Sequence, residues 1–255
     1  DLTLAPVATD AKIRSAYLIG NYGSVDASKY TFGPVSGDTD KSSTSLTVDY
    51  LDSISLSAGN DALRVIGGDQ SFSVSAGTGD DWIYVSGVSK LSATIDGGAG
   101  TDTVDVSGTG FVDLTSLSLT NIESVYYGTS TILVTSAQLG SWSFDGSGAK
   151  YTKVGDVVVG TDNADSYRGN GSGSFQGGKG NDTISNVDTA VFAGNYADYS
   201  SSRSGTTLTI KQERGTQADG TDTLNGVMKL KFADTTVILD DAPDSVWNAV
   251  SSAYD

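Results

Sequence analysis

Apolar residues along this chain alternate with polar ones in short runs and never fall at helical spacing over any length. Leu63-Arg64-Val65-Ile66, Phe72-Ser73-Val74-Ser75, Trp82-Ile83-Tyr84-Val85 and Thr103-Val104-Asp105-Val106 are rich in β-branched and aromatic residues, and glycines bound them. The pattern predicts an all-β protein. The one weakly amphipathic stretch is Asp244 to Ala253.

Between these runs lies a repeated turn. Gly59-Asn60-Asp61-Ala62-Leu63, Gly79-Asp80-Asp81-Trp82-Ile83 and Gly100-Thr101-Asp102-Thr103-Val104 share a Gly-x-Asp-x-apolar core, with aspartates 20 and then 21 residues apart. The same step leads on to Glu123, Asp145 and Asp165, and a last step of 17 residues reaches Asp182. An acidic turn followed by a strand, once in about 20 residues, predicts a parallel β-solenoid whose coils are stabilised by stacking on their neighbours. Gly67-Gly68-Asp69, Gly87 and Gly108 fall half a period later without the full motif. The acidic turns are therefore expected along one edge only. Residues 51–188 form the solenoid in this reading. Residues 1–50, with strand-like runs at Ser15 to Gly20 and Ser45 to Asp49, are a cap or the end of an upstream domain. Residues 189–255 are a C-terminal β meander and tail.

Composition sharpens this. The chain of 255 residues carries 31 acidic against 15 basic residues, a net charge of −16, with 32 glycines. Only Glu123 and Glu213 are glutamates, so the acidity is almost all aspartate, which suits carboxylates placed within tight turns where hard cations bind. The negative charge argues against a nucleic-acid partner and an anionic membrane surface. No apolar run reaches the ~20 residues of a membrane helix. With no cysteine and no histidine, thiol catalysis, Ser-His-Asp catalysis and His-ligated zinc are excluded within this chain. The chain opens at Asp1 with no visible signal peptide, as expected of a processed or excised piece.

The fuller turns have a mechanical reading. Glycines open backbone angles that let carbonyl oxygens converge, the aspartate adds a carboxylate, and the apolar residue two positions on enters the core. Calcium takes six to eight oxygens, more than one turn offers, but strands ~4.8 Å apart let two stacked turns share an ion.

Gly97 to Asp105 (GGAGTDTVD) and Gly177 to Ser185 match the Gly-Gly-x-Gly-x-Asp-x-apolar-x nonapeptide of the RTX (repeats-in-toxin) family, and the chain resembles that family. Ala76 to Tyr84 matches except for Ala76, Gly160 to Arg168 is similar to a degenerate opening copy, and Gly59 to Leu63 keeps the second half. Asp188 to Tyr199, Gly220 to Leu224 and Leu230 to Asp234 resemble the region that follows such repeats. The resemblance implies a calcium-bound β-roll, export by a type I secretion machine, and folding outside the cell. The ligands it implies are Asp61, Asp81, Asp102, Asp165 and Asp182. Around them would lie the turn glycines Gly59, Gly77, Gly79, Gly97, Gly98, Gly100, Gly160, Gly177, Gly178 and Gly180. Calcium is expected between the turns of Asp61 and Asp81, of Asp81 and Asp102, and of Asp165 and Asp182. Glu123 and Asp145 lack the glycines.

Three functions follow. The first is a non-catalytic calcium-binding module of a secreted or cell-surface bacterial protein. The second is a surface-layer or adhesin piece that contacts cell-surface polysaccharide or copies of itself. The third is the non-catalytic part of a polysaccharide-acting or other exoenzyme. The carboxylate pairs Asp80–Asp81 and Asp240–Asp241 are not by themselves a glycosidase site. Tyr126, Tyr127, Trp142 and Tyr151 are either core residues or stacking faces for sugars.

Overall fold

The structure is a computed structural model that describes residues 2–3, 16–18, 22–28, 46–49, 51–66, 71–108 and 110–239. The chain divides into two compact units, Asp1–Ala149 and Lys150–Asp255. The expected turn at Gly67-Gly68-Asp69, the pair Asp240–Asp241 and the amphipathic stretch Asp244 to Ala253 lie outside the described residues.

The first unit is the predicted parallel solenoid. One sheet stacks, in chain order, Leu2–Thr3, Tyr22–Asp26, Leu51–Ser55, Ser71–Ser75, Ser92–Asp96 and Ser118–Thr120. The other stacks Ala16–Leu18, Leu46–Asp49, Ala62–Ile66, Trp82–Ser86, Thr103–Asp105, Ser124–Gly128 and Phe144–Gly146. Every pairing in these two sheets is parallel and one coil apart, for example Leu63↔Ile83 and Ile83↔Val104. Inward positions alternate with outward ones along each strand, so that Ile54, Val74 and Ile95 from one sheet meet Leu63, Ile83, Val104 and Val125 from the other in a closed core. The described strands of residues 1–50 pair in parallel with these sheets and so extend the same coils.

Phe111–Asp113 and Thr131–Thr135 form a third wall beside these sheets. A short helix, Ser136–Ser141, follows; the alternating pattern did not foretell it. Its capping box joins Thr135 and Gln138, and the Gln138 amide donates to the carbonyls of Leu114 and Leu117 at 2.9 and 3.0 Å.

In the second unit Val157–Val159, Ser174–Gln176, Thr189–Val191 and Lys229–Lys231 stack in parallel on one side. Ser166–Arg168, Thr183–Ser185 and Thr221–Asn225 stack on the other. The expected meander is present as the antiparallel run Tyr199–Ser204, Thr207–Gln212 and Thr221–Asn225, and as Lys229–Lys231 with Thr236–Ile238. Its strands Thr221–Asn225 and Lys229–Lys231 also make one more parallel coil, so the solenoid continues past residue 188 with a hairpin inserted in its last turn. Tyr151, Phe175, Ile184, Leu224, Leu230 and Phe232 fill this core.

Candidate metal centre

Each unit places its own acidic turns along one of its edges, where the chain crosses from one of that unit's sheets to the other. Each turn aspartate is buried: Asp61, Asp81, Asp102, Asp165, Asp182 and Asp222 are all below a tenth exposed. Their Oδ1 atoms form a ladder. Asp81 accepts the backbone N–H of Asp61 at 2.7 Å, Asp102 that of Asp81 at 2.8 Å, and Glu123 that of Asp102 at 2.6 Å. In the second unit Asp182 accepts from Asp165 and Asp222 from Asp182, both at 2.8 Å. Each carboxylate thus ties its own coil to the one before it and satisfies a backbone donor that would otherwise be buried without a partner. An outer ladder of exposed side chains runs in the opposite sense. Asn60 accepts the N–H of Asp80, Asp80 that of Thr101, and Asn181 that of Thr221.

Two expectations change. Asp145 is not a turn residue: Tyr126↔Asp145 is the register, which puts it on the strand, exposed, and places Trp142 opposite Glu123. The helix at residues 136–141 and the register shift at Tyr126/Gly128 break the 20-residue count there. Glu123 therefore ends the ladder of the first unit, and Asp165 begins a separate one. Asp222, which the spacing hid, closes that second ladder, because the inserted hairpin stretches its step to 40 residues. Its Gly220-Thr221-Asp222-Thr223-Leu224 core was the signal that could have found it.

The second carboxylate oxygen separates the turns into two kinds. Asp61 Oδ2 accepts from the N–H and hydroxyl of Ser57 at 3.1 and 2.9 Å. Asp165 Oδ2 accepts from the N–H and hydroxyl of Thr161 at 2.5 and 3.0 Å. In the turns of Asp81, Asp102 and Asp182 that hydroxyl position, four residues before the aspartate, is Gly77, Gly98 and Gly178. There the Oδ2 atoms of Asp81, Asp102 and Asp182 are buried with no hydrogen-bond partner.

Stacking makes those glycines compulsory. Gly98 has φ +91°, and a Cβ on it would lie 1.8 Å from the carbonyl oxygen of Gly77 one coil below. At Gly100, φ +146°, a Cβ would be 1.9 Å from the Gly79 carbonyl. No side chain fits, so no hydroxyl can reach Oδ2 from there. The first glycine of the motif makes room for the carboxylate itself: a Cβ on Gly177 would be 1.9 Å from Asp182 Oδ2, and one on Gly97 2.5 Å from Asp102 Oδ2. Ala76 occupies that place beside Asp81 and is fully buried.

Burial without compensation moves the titrations. Desolvation pushes the Asp81 carboxyl up to about 7; the Asp61 N–H it accepts opposes this, while Asp61, Asp102 and Asp80 add to it. Asp182 rises to about 6 and Asp222 to about 7, again chiefly by burial, and Asp102 is raised for the same reason. None of these shifts has a side-chain cation among its causes.

Among the described residues no group of three or more carboxylates gathers around one point. A cation here would be held by one or two carboxylates, with backbone carbonyls of the glycine turns making up the rest. The donors present are all oxygens, the set preferred by hard cations, and calcium tolerates such irregular, carbonyl-rich shells best. No protein-family model matches the chain, and no curated protein matches it.

Proposed function

We propose that this chain is a calcium-binding structural module of a secreted or cell-surface bacterial protein. It is non-catalytic and folds on calcium after type I export. The observation that carries the reading is the set of buried Oδ2 atoms of Asp81, Asp102 and Asp182, which lack any donor in a chain of net charge −16. An ionised carboxylate out of water costs several kcal/mol unless it is paired or bound to metal. Two ways of lifting that cost exist: a proton or a cation. At neutral pH Asp81, raised to about 7, and Asp182, raised to about 6, are only partly protonated, so a cation contributes most there.

Asp81, Asp102 and Asp182 would hold the ions, with the carbonyls of the glycine turns around them. Asp61 and Asp165 would act mainly as closed ends, since Ser57 and Thr161 already occupy their Oδ2 atoms. Bound calcium would neutralise the stacked carboxylates and let neighbouring coils approach. The match of Gly97 to Asp105 and Gly177 to Ser185 to the RTX nonapeptide supports calcium in particular, and with it export and folding where calcium is abundant.

Isothermal calorimetry with calcium, run alongside circular dichroism, tests this. Expected is saturable binding together with a gain of β signal. A chain that is fully β in EGTA and shows no heat with calcium removes the reading.

A further inference from the structure

Asparagine is followed two positions on by a hydroxyl residue at two places in this chain, Asn170-Gly171-Ser172 and Asn181-Asp182-Thr183, both in the second unit. An Asn-x-Ser/Thr triplet without a central proline is the acceptor pattern for a sugar on the asparagine side chain, and it is usable where it lies on an exposed loop. The fold treats the two triplets differently.

Gly169 to Gly173 joins Ser166–Arg168 on one sheet to Ser174–Gln176 on the other, so it crosses at the edge opposite the turn of Asp182. Asn170, Gly171 and Ser172 are all exposed. The next coil holds the backbone of this loop. The Gly171 N–H donates to the Asn186 carbonyl at 2.7 Å, and the Asn186 amide donates to the Gly169 carbonyl at 2.9 Å. Asn170 Oδ1 accepts the N–H and the hydroxyl of Ser172 at 3.2 and 2.7 Å. A backbone N–H can only donate, so this contact identifies Oδ1 and leaves Nδ2 with no acceptor among the described residues. Carboxamide and hydroxyl thus stand together on an exposed loop. Around them is open space: a Cβ on Gly173 would meet nothing within 4 Å, and one on Gly171 only Asn186 Oδ1 at 3.6 Å. The Gly171 nitrogen that would close a ring on the carboxamide is engaged by Asn186, which opposes deamidation at this Asn-Gly pair.

Asn181 is exposed too, but it belongs to the outer ladder. Its Oδ1 accepts the Thr221 N–H at 2.8 Å, and a Cβ on Gly220 would lie 2.6 Å from that oxygen. The central residue of its triplet is Asp182, whose N–H donates to Asp222 in the next coil. A sugar on Asn181 Nδ2 would crowd the turn stacked there.

We infer that Asn170 is an N-glycosylation site and that Asn181 is not. The donor is a sugar activated at C1 as a diphosphate ester, carried by a nucleoside or by a lipid. A bond forms between Asn170 Nδ2 and C1. The C1–oxygen bond breaks, its electron pair leaves with the diphosphate, and one Nδ2 proton passes to a base of the transferase. Nothing is oxidised or reduced. None of this depends on which ion the turns hold.

Mass spectrometry of the chain recovered from the cells that make it, and from their medium, tests the inference. Trypsin cuts after Arg168, Lys179 and Arg203, which separates the triplets into the peptides Gly169–Lys179 and Gly180–Arg203. Sugar is expected on the first in most molecules and on the second in none. A single hexose assigns the nucleoside-bound donor, and a preassembled oligosaccharide the lipid-bound one. Ser172→Ala should abolish the modification and Ser172→Thr should keep it, both with the circular dichroism of the parent because the residue is exposed. The first peptide free of sugar, whether intact or deamidated, overturns the inference. So does sugar on the second peptide of folded chain, or Ser172→Ala modified as fully as the parent.

Discussion

The opening turns and the interior turns of the two ladders share a fold and differ in one atom's surroundings. At Asp61 and Asp165 a hydroxyl residue four positions earlier, Ser57 or Thr161, donates to Oδ2. At Asp81, Asp102 and Asp182 the equivalent residue is glycine, forced by the carbonyl stacked against it, and Oδ2 has no donor. A coil with no full turn beneath it has room for a side chain and can finish its own carboxylate. One stacked on the carbonyls of an earlier turn (Ser57 beneath Gly77, Gly77 beneath Gly98, Thr161 beneath Gly178) cannot, and leaves a buried carboxylate oxygen for something else to neutralise. The same stacking that builds the solenoid therefore creates its need for a counterion. Degenerate opening copies are, on this comparison, closed ends of the ladder.

The strongest way to break the contrast is to remove calcium. In EGTA at pH 8 we expect the β signal of the interior coils to collapse. Hydrogen exchange at the amides of Asp81 and Asp102 should accelerate by more than tenfold over its rate in calcium. Equal protection with and without the ion would dissolve the distinction between the two kinds of turn.

Acid should then replace the cation in part. Asp81, Asp182 and Asp222 titrate higher folded than unfolded, so the folded chain binds more protons. Calcium-free stability should accordingly be greatest near and below the unfolded carboxyl range around pH 4. It should fall as pH rises through about 6 to 7. Urea melts in EGTA at pH 5 and pH 8 check the sign; a more stable chain at pH 8 contradicts it.

Giving an interior turn the hydroxyl of an opening one should fail. Gly98→Ser must adopt a left-handed φ against the Gly77 carbonyl, and a loss of at least ~2 kcal/mol is expected in chemical denaturation. A neutral or stabilising result would show that the stacked turns are looser than they look.

Asp102→Asn keeps an acceptor for the Asp81 N–H and removes the unpartnered charge. It should raise the calcium midpoint about tenfold, or ~1.4 kcal/mol, while leaving the EGTA form as stable as before or more so. Asp61→Asn should move that midpoint less. The smallest effect belongs to Ser57→Ala, which removes the hydroxyl donor to Asp61 Oδ2 and should cost about 1 kcal/mol. An equal midpoint shift from Asp61→Asn and Asp102→Asn would erase the comparison.

Much of this was legible in the chain itself. Alternation with a period of two and an acidic glycine turn every 20 or so residues imply stacked parallel coils, because strands of equal length joined by equal turns return to register. They also imply that the full turns lie on one edge. Where coil length changed, the count misled. The helix at Ser136–Ser141 and the register shift beside it moved Asp145 from turn to strand, and the hairpin before Asp222 hid a true ladder member behind a long step. Spacing is local arithmetic, whereas register follows from which strand finds hydrogen-bond partners beside it.

By itself, then, the sequence determined the repeat, the edge and the chemistry of the turns, since these depend on backbone freedom and alternation within one coil. Only the tertiary structure decided which carboxylates are complete. Whether Oδ2 finds a donor depends on the residue four positions back, and on whether the coil beneath leaves that residue space for a side chain. The outward row of Arg64, Tyr84, Asp105 and Tyr126 on the seven-stranded sheet is of the same kind. Its members are roughly 20 residues apart in the chain, and parallel stacking sets them a few ångströms from one another.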